Sequence, residues 1–173
     1  MVKNKTIFMP SETIDKKMFL LTMEYLSNKN YHHYEISNFC KIKKECQHNL
    51  HYWKLEPYLA FGPGAHGFDG KKRWWNKRSL DYYLNSLEKN KLPIESEEIL
   101  TDKESFNENI MNGLRLIEGI DINKIKKFLP QDIQGYIKPY QKKWPDLHLD
   151  KKLRLNKKGL LFTDEIIADL FLV

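Results

Sequence analysis

The chain has 173 residues, which is enough for one domain or two small ones. Apolar residues make up 41% of it and aromatic residues 13%, a composition that excludes a disordered chain. The formal charge of +6 allows nucleic acid, an anionic ligand or an acidic protein as a partner, although the lysines occur as scattered doublets and not as one stripe.

The first predicted element is a helix over SETIDKKMFLLTMEYLSNKN, with Ser11 as its N-terminal cap. Four apolar residues share one face of this helix, namely Ile14, Met18, Leu21 and Tyr25. The following YHHYEISNF predicts a short strand from Tyr34 to Phe39. A helix followed by a strand is the second half of a βαβ unit. Because no strand precedes the helix, we expect the chain to begin inside a longer fold.

The middle of the chain alternates loops and short extended segments. KIKKECQ is a polar loop, YLAFGPGAHGF predicts a strand that runs into a Gly-Pro-Gly turn, and KKRWW predicts another short strand. From Ser79 the pattern becomes helical over SLDYYLNSLEKN, and LPIESEEIL is then extended. This change of character places a boundary after residue 78, with one domain over 1–78 and a second over 79–173.

The last part of the chain predicts helices and one hairpin. TDKESFNENIMNGLRLIEG opens with a capping box at Thr101 and Glu104 and stops at Gly119. Its buried stripe consists of Phe106, Ile110, Leu114 and Ile117. Shorter helices are predicted over DINKIKKFLP, which ends before Pro130, and over residues 131–144. LRLNKKGLLFT predicts a hairpin around Asn156–Gly159, and a final helix starts at Thr163.

Several classes of protein are disfavoured by what the sequence lacks. No apolar run approaches the length of a membrane span, and the N-terminus lacks the apolar core of a secretory signal. We therefore expect a cytoplasmic protein without a membrane span. The two cysteines, Cys40 and Cys46, make neither a disulfide framework nor a four-sulfur metal site.

Potential chemistry is concentrated in HNLHYW and GPGAH. Imidazole is a common ligand of heme iron, and a neighbouring Tyr and Trp offer stacking area for a flat macrocycle. The same residues also fit a loop whose histidines cap turns while Trp53 packs in the core. Glycines after a strand let a ligand approach bare backbone, yet Gly-Pro-Gly is also an ordinary turn. The residues alone therefore leave two interpretations open for each segment: a ligand site, or an ordinary loop or turn.

The order and spacing of YEISNF, HNLHYW, YLAFGPGAHG, RWWN and SLDYYL resemble one family. They are similar to the C-terminal part of the HemW-like heme chaperones, which belong with the oxygen-independent coproporphyrinogen III oxidase-like radical SAM proteins. NGLRLIEGIDI and LRLNKKGLLFTDEIIADLF also resemble the family's C-terminal domain. The resemblance implies an α+β fold, in which the C-terminal remnant of a partial TIM-like (β/α) barrel precedes a small helical, winged-helix-like domain.

The resemblance also implies ligands and the residues that hold them. It assigns heme to His48, Asn49, Tyr52 and Trp53. It places S-adenosylmethionine near Cys40, Gly64, Ala65 and His66. The family's C-x-x-x-C-x-x-C motif and the first part of the barrel are absent, Cys40 replaces a usual alanine, and Gly67 replaces a usual serine. We therefore expect S-adenosylmethionine and a 4Fe-4S cluster only in a full-length parent, and no enzymatic cleavage by this chain alone.

The expected function is heme binding and transfer, with heme-acceptor proteins and a missing N-terminal half as further partners. Two alternatives stay open. Residues 101–173 fit the outline of a winged-helix nucleic-acid-binding module, although Pro139 interrupts the candidate recognition helix and nucleic acid is not the expected partner. The chain also fits an inactive fragment of an oxidase-like protein.

Overall fold

The computed structural model describes residues 10–129 and 132–173, so Pro130 and Gln131, predicted at a helix end and a helix start, lie outside it. The helices are α1 (Glu12–Asn28), α2 (Gln47–Trp53), α3 (Leu80–Glu88), α4 (Asp102–Gly113), α5 (Ile122–Ile125), α6 (Ile133–Lys143) and α7 (Thr163–Asp169). The strands are β1 (Tyr31–Glu35), β2 (Asn38–Lys41), β3 (His66–Phe68), β4 (Lys72–Asn76), β5 (Ile94–Ile99), β6 (Ile120–Asp121), β7 (Leu147–Leu149) and β8 (Lys152–Leu155). None of the helices in these ranges has the length and apolar character that a bilayer span needs.

The strands form three small sheets. β1 pairs with β2, β4 lies between β3 and β5, and β8 lies between β6 and β7. Every strand pair in the described ranges is antiparallel, so the expected half of a parallel βαβ unit is not seen there. The single strand predicted from Tyr34 to Phe39 is wrong, because the chain turns at residues 36–37. The Ile36 N–H leaves the hairpin and donates to the Arg115 carbonyl at 2.8 Å.

Three helices start at the capping residues that the sequence indicates. Ser11 caps α1, Ser79 caps α3, and Thr101 forms a complete capping box at α4. The predicted end of α4 at Gly119 is wrong, since the helix ends at Gly113. Gly119 instead takes a positive φ of 72° and directs the chain into β6.

The hydrophobic core lies mainly in the C-terminal half. Of the predicted α4 stripe, Phe106, Ile110 and Leu114 are fully buried, and Ile117 is half-buried. They pack with fully buried residues from the other C-terminal elements, among them Ile125, Ile137, Leu153, Ile166 and Leu170. The four apolar residues on the predicted face of α1 are each more than half exposed, and Met23 is the α1 residue that joins the core. The α1 face therefore has no apolar cover within the described residues.

Two predicted strand positions are displaced. The strand expected before the Gly-Pro-Gly turn follows it instead, as β3. The hairpin expected around Asn156–Gly159 is wrong, because β7 and β8 turn at residues 150–151 and Gly159–Phe162 forms a 3-10 turn before α7. The extended segments KKRWW and LPIESEEIL are confirmed as β4 and β5.

Arg73 of β4 joins the central sheet to α4. Its guanidinium donates to both carboxylate oxygens of Glu108, at 2.6 and 2.7 Å, and to Glu98 at 3.3 Å. One guanidinium nitrogen thus bridges both oxygens of Glu108, and a charge-assisted contact of this kind is stronger than a neutral hydrogen bond. The same sheet takes strands from both sides of residue 78, and the division of the chain at that residue stays a prediction.

Candidate functional site

The HNLHYW segment forms α2 and not the loop that the residues also allowed. Spacing of four residues along a helix puts His48 and Tyr52 on one face and Asn49 and Trp53 on the neighbouring one. The sequence of this segment has no apolar periodicity that would have indicated a helix. This agrees with the structure, in which none of the α2 residues is buried.

His48 and Tyr52 lie on the exposed face of α2. Their rings meet edge-on with 5.0 Å between centroids, and the His48 imidazole has no hydrogen-bond partner among the residues described. Tyr52 packs on Tyr58 at 4.8 Å between centroids, and Tyr58 packs on Phe68 at 6.1 Å. A series of aromatic rings therefore runs from an unpaired imidazole to the buried side of β3.

The second histidine of the segment, His51, has a different environment. Its Nδ1 lies 2.8 Å from a carboxylate oxygen of Glu56, and its Nε2 lies 3.1 Å from the Pro57 carbonyl. Both ring nitrogens are thus engaged in closing the turn after α2. His51 is not available as a ligand unless this turn opens.

Asn49 and Trp53 hold α2 against the rest of the molecule. Asn49 faces the phenol of Tyr34, whose pKa is raised by burial and held down in part by the contact with Asn49. Trp53 lines a cleft of about 210 Å³ together with Asn109 and Gly113 of α4. The four residues of the motif therefore do not converge, since two face solvent and two face neighbouring elements.

The Gly-Pro-Gly turn is held by residues that the sequence did not single out. The buried side chain of Asn76 donates to the carbonyls of Ala60 and Gly62, at 3.2 and 3.0 Å. The Gly62 N–H donates to the hydroxyl of Tyr83 at 3.1 Å, and Gly64 adopts a φ of 68°. Asn76 and Tyr83 follow the turn by many residues, so no local motif reveals them.

His66 and Gly67 follow the turn at the start of β3. His66 is exposed and its ring stacks on Trp75 with 6.0 Å between centroids. Gly67 is buried, and a Cβ atom at that position would overlap the indole of Trp74. This close approach is a physical reason for glycine where the resemblance leads us to expect serine.

Much of the chain is similar in sequence to known proteins. Residues 100–165 match the family model of the HemN C-terminal domain. The heme chaperone HemW of Bacillus subtilis is 28% identical over 174 residues, which cover 95% of this chain and 43% of that protein. The heme chaperone HemW of Mycobacterium tuberculosis H37Rv is 31% identical over 124 residues, which cover 72% of this chain and 32% of that protein.

The chain belongs to the HemN/HemW family. It spans less than half the length of these curated relatives. In structure it is similar to the Escherichia coli coproporphyrinogen III oxidase HemN, described as a radical SAM enzyme, with a TM-score of 0.64 and 15% identity over 93% of this chain and 42% of that chain. At this identity the likeness shows the fold alone, a mixed arrangement of helices and strands like that of HemN.

The cysteines of this HemN/HemW chain do not suit an iron–sulfur cluster. Cys40 lies on β2 with its side chain buried, and burial raises the pKa of its thiol. Cys46 is exposed just before α2. Clusters of the 4Fe-4S type normally take at least three cysteine ligands, and the whole sequence holds two cysteines. No step of a reaction can be assigned to such a cluster in these residues.

Proposed function

We propose that this chain is the heme-binding part of a HemW-like heme chaperone and that heme is held at the exposed face of α2. The observation that carries the proposal is the imidazole of His48, which is exposed, lacks a partner among the described residues and lies edge-on to Tyr52 at 5.0 Å. Histidine is a standard axial ligand of heme iron, and an aromatic ring packs well against a flat macrocycle.

Each residue of the motif has its own part in this proposal. His48 ligates the iron and Tyr52 borders the porphyrin. Asn49 and Trp53 act through the position of α2, because they contact Tyr34 and the cleft beside α4 and do not face solvent with His48.

Further apolar surface follows α2 in the chain. Leu59 and Phe61 are 68% and 79% exposed, which is unusual for large apolar side chains and suits a hydrophobic ligand. Heme held on an open face stays accessible to an acceptor protein. This arrangement favours transfer over catalysis, and it predicts weak heme binding by the chain alone.

A hemin titration followed at the Soret band tests the role of His48. We expect the wild-type chain to shift the band weakly and His48→Ala to lose the shift. His51→Ala is the matched control on the same helix, and it should behave as wild type because both nitrogens of His51 already have partners. An unchanged shift in a folded His48→Ala variant, or its loss in His51→Ala alone, would remove His48 from the site.

We further propose that S-adenosylmethionine, in a full-length parent, lies beside Cys40, Gly64, Ala65 and His66. The unhindered main chain at Gly62, where an added Cβ would meet no atom within 4 Å, supports a close approach of a ligand to this turn, whereas Gly64 lies against the side chain of Arg78. This chain supplies one edge of such a pocket. We therefore expect no binding of S-adenosylmethionine by the isolated chain in calorimetry.

The finer architecture is also a proposal. Residues 1–78 would complete a partial (β/α) barrel begun by an N-terminal half, and the exposed apolar face of α1 supports a missing partner for that helix. Residues 79–173 would form the winged-helix-like C-terminal domain, with α4, α6 and α7 around the β6–β8–β7 sheet. We do not propose nucleic acid as a partner, because Lys152 and Arg154 of β8 are already paired with Glu118 and Asp150.

A further inference from the structure

A cluster of mixed donor groups lies at the β1–β2 hairpin, and none of its members belongs to HNLHYW or GPGAH. The ligand atoms of His32, Cys40 and Glu45 all lie within 4.8 Å of one another. His32 and Cys40 are direct partners across the hairpin, so their side chains project from the same face of the sheet. Glu45 reaches them because the chain reverses after β2, where Lys43 takes a φ of 61°.

We propose that His32, Cys40 and Glu45 bind one Zn²⁺ ion and leave its fourth coordination position open. Imidazole nitrogen, thiolate sulfur and carboxylate oxygen are the ligand types that zinc takes in proteins. Three protein ligands with one open position are typical of zinc sites that exchange a small molecule. The thiol proton passes to solvent as the S–Zn bond forms.

Charge favours this ion at this place. A thiolate, a carboxylate and a neutral imidazole together carry two negative charges, which the ion neutralises. The filled site therefore has no net charge, and its partly buried position carries no penalty for desolvating an uncompensated ion. A monovalent cation would leave one negative charge beside the buried Cys40.

One pair of donors already has the spacing of a zinc site, while the Cys40 thiol, which donates to the His32 carbonyl at 3.7 Å, must turn toward the ion. The His32 Nδ1 lies 3.2 Å from a Glu45 carboxylate oxygen, and two ligands of one tetrahedral Zn²⁺ are themselves about 3.3 Å apart. Zinc replaces this contact, which contributes little in itself because the His32 side chain is 53% exposed. Cys40 is the anchored ligand, since its side chain is buried against the hairpin.

The open coordination position has room beside it. His32 and Glu45 both line a cavity of about 490 Å³ between the hairpin and α2, which is within the range of small-molecule sites. Tyr34 and Gln47 supply polar groups to the same cavity, and Leu50 supplies an apolar wall. A small polar molecule in this cavity is therefore in reach of the metal.

The site is independent of the proposed heme site. None of its three donors belongs to the residues proposed to hold heme. Cys40 is also one of the residues proposed beside S-adenosylmethionine in a full-length parent, so the metal site is tested in this chain without that ligand. Failure of either proposal thus leaves the other standing.

A Co²⁺ titration of the full reduced chain tests the zinc site, because Co²⁺ substitutes for Zn²⁺ and a Co²⁺–thiolate bond gives a charge-transfer band in the near ultraviolet. We expect the band in the wild-type chain and its bleaching by Zn²⁺. Cys40→Ser should lose the band, and Cys46→Ser is the matched control that should keep it. His32→Ala and Glu45→Gln should weaken binding by roughly tenfold or more, the loss that even a supporting residue of a metal site causes.

Three results would overturn the proposal: no thiolate band in the wild-type chain, a band that survives in Cys40→Ser, or a band lost in Cys46→Ser. If Cys40→Ser does not fold, His32→Ala decides the question, because His32 is exposed and its removal leaves the core intact. Wild-type affinity in a folded His32→Ala chain would refute the ligand set.

Discussion

Placing serine at position 67, where the family resemblance leads us to expect it, should destabilise this protein. A Cβ atom at Gly67 would overlap the indole of Trp74, which stands on the paired strand β4. Inserting atoms into a packed site generally costs about 1–3 kcal/mol. For a chain of this size, each kcal/mol shifts Tm by about 2–4 °C, so Gly67→Ser should lower Tm by roughly 2–12 °C.

Thermal unfolding separates the effect of the overlap with Trp74 from the effect of replacing a glycine. It is measured for Gly67→Ser, Trp74→Ala, the double variant and Gly135→Ser. Gly135→Ser is the control, because an added Cβ in α6 meets no atom within 4 Å. In a cycle with Trp74→Ala, the double variant should be more stable than the sum of the two single effects by about 1 kcal/mol or more. A wild-type Tm for Gly67→Ser would refute the reasoning. So would a Gly67→Ser substitution that lowers stability equally in the wild-type and the Trp74→Ala chain.

Three further outcomes follow from buried polar groups. Asn76→Ala should lower the unfolding free energy by about 1–3 kcal/mol in chemical denaturation, because the carbonyls of Ala60 and Gly62 lose their donor; an unchanged midpoint would contradict this. Glu35→Gln should raise Tm, since both carboxylate oxygens of Glu35 are buried without a partner among the residues described, and a lower Tm would contradict the burial argument. Burial lowers the pKa of His33 below its ordinary 6.5, so the stability contributed by the neutral ring is lost as pH falls below 6.5. A His33→Phe chain should therefore lose less Tm on acidification, and a parallel loss in both chains would exclude His33 as the source.

Helix starts were predictable because their signals are local. Ser11 and Thr101 cap their helices through side chains that reach N–H groups three residues away. The end of α4 was not predictable in the same way. Gly113 is the last residue of the helix and its missing side chain leaves room for Ile120, an approach that depends on how β6 packs.

Strand register was harder to predict because polar residues occupy core positions. The alternation of apolar and polar residues from Tyr34 to Phe39 suggested one strand with Glu35 facing solvent. Glu35 is in fact fully buried, and the chain turns just after it. The apolar face of α1 was identified correctly as a face, yet its exposure depends on what packs there, and no pattern within the chain encodes that.

Only part of the candidate site could be predicted from the sequence, because some of its contacts are local and others join distant segments. HNLHYW and GPGAH were both located from the sequence, and the spacing of four residues relates His48 to Tyr52 once α2 is known. The partner atoms of His51 and the support of the turn by Asn76 and Tyr83 come from packing between distant segments. The roles of these residues in binding stay predictions.

Helix α4 has a double attachment. Glu108 accepts hydrogen bonds from Arg73, which lies on the sheet next to GPGAH. Gly113, the last residue of α4, borders the cleft that Trp53 lines. Through these two contacts, the helix fixes the distance between the two candidate sites. A substitution that shifts α4 would therefore displace both candidate sites together, although the helix carries no residue of either.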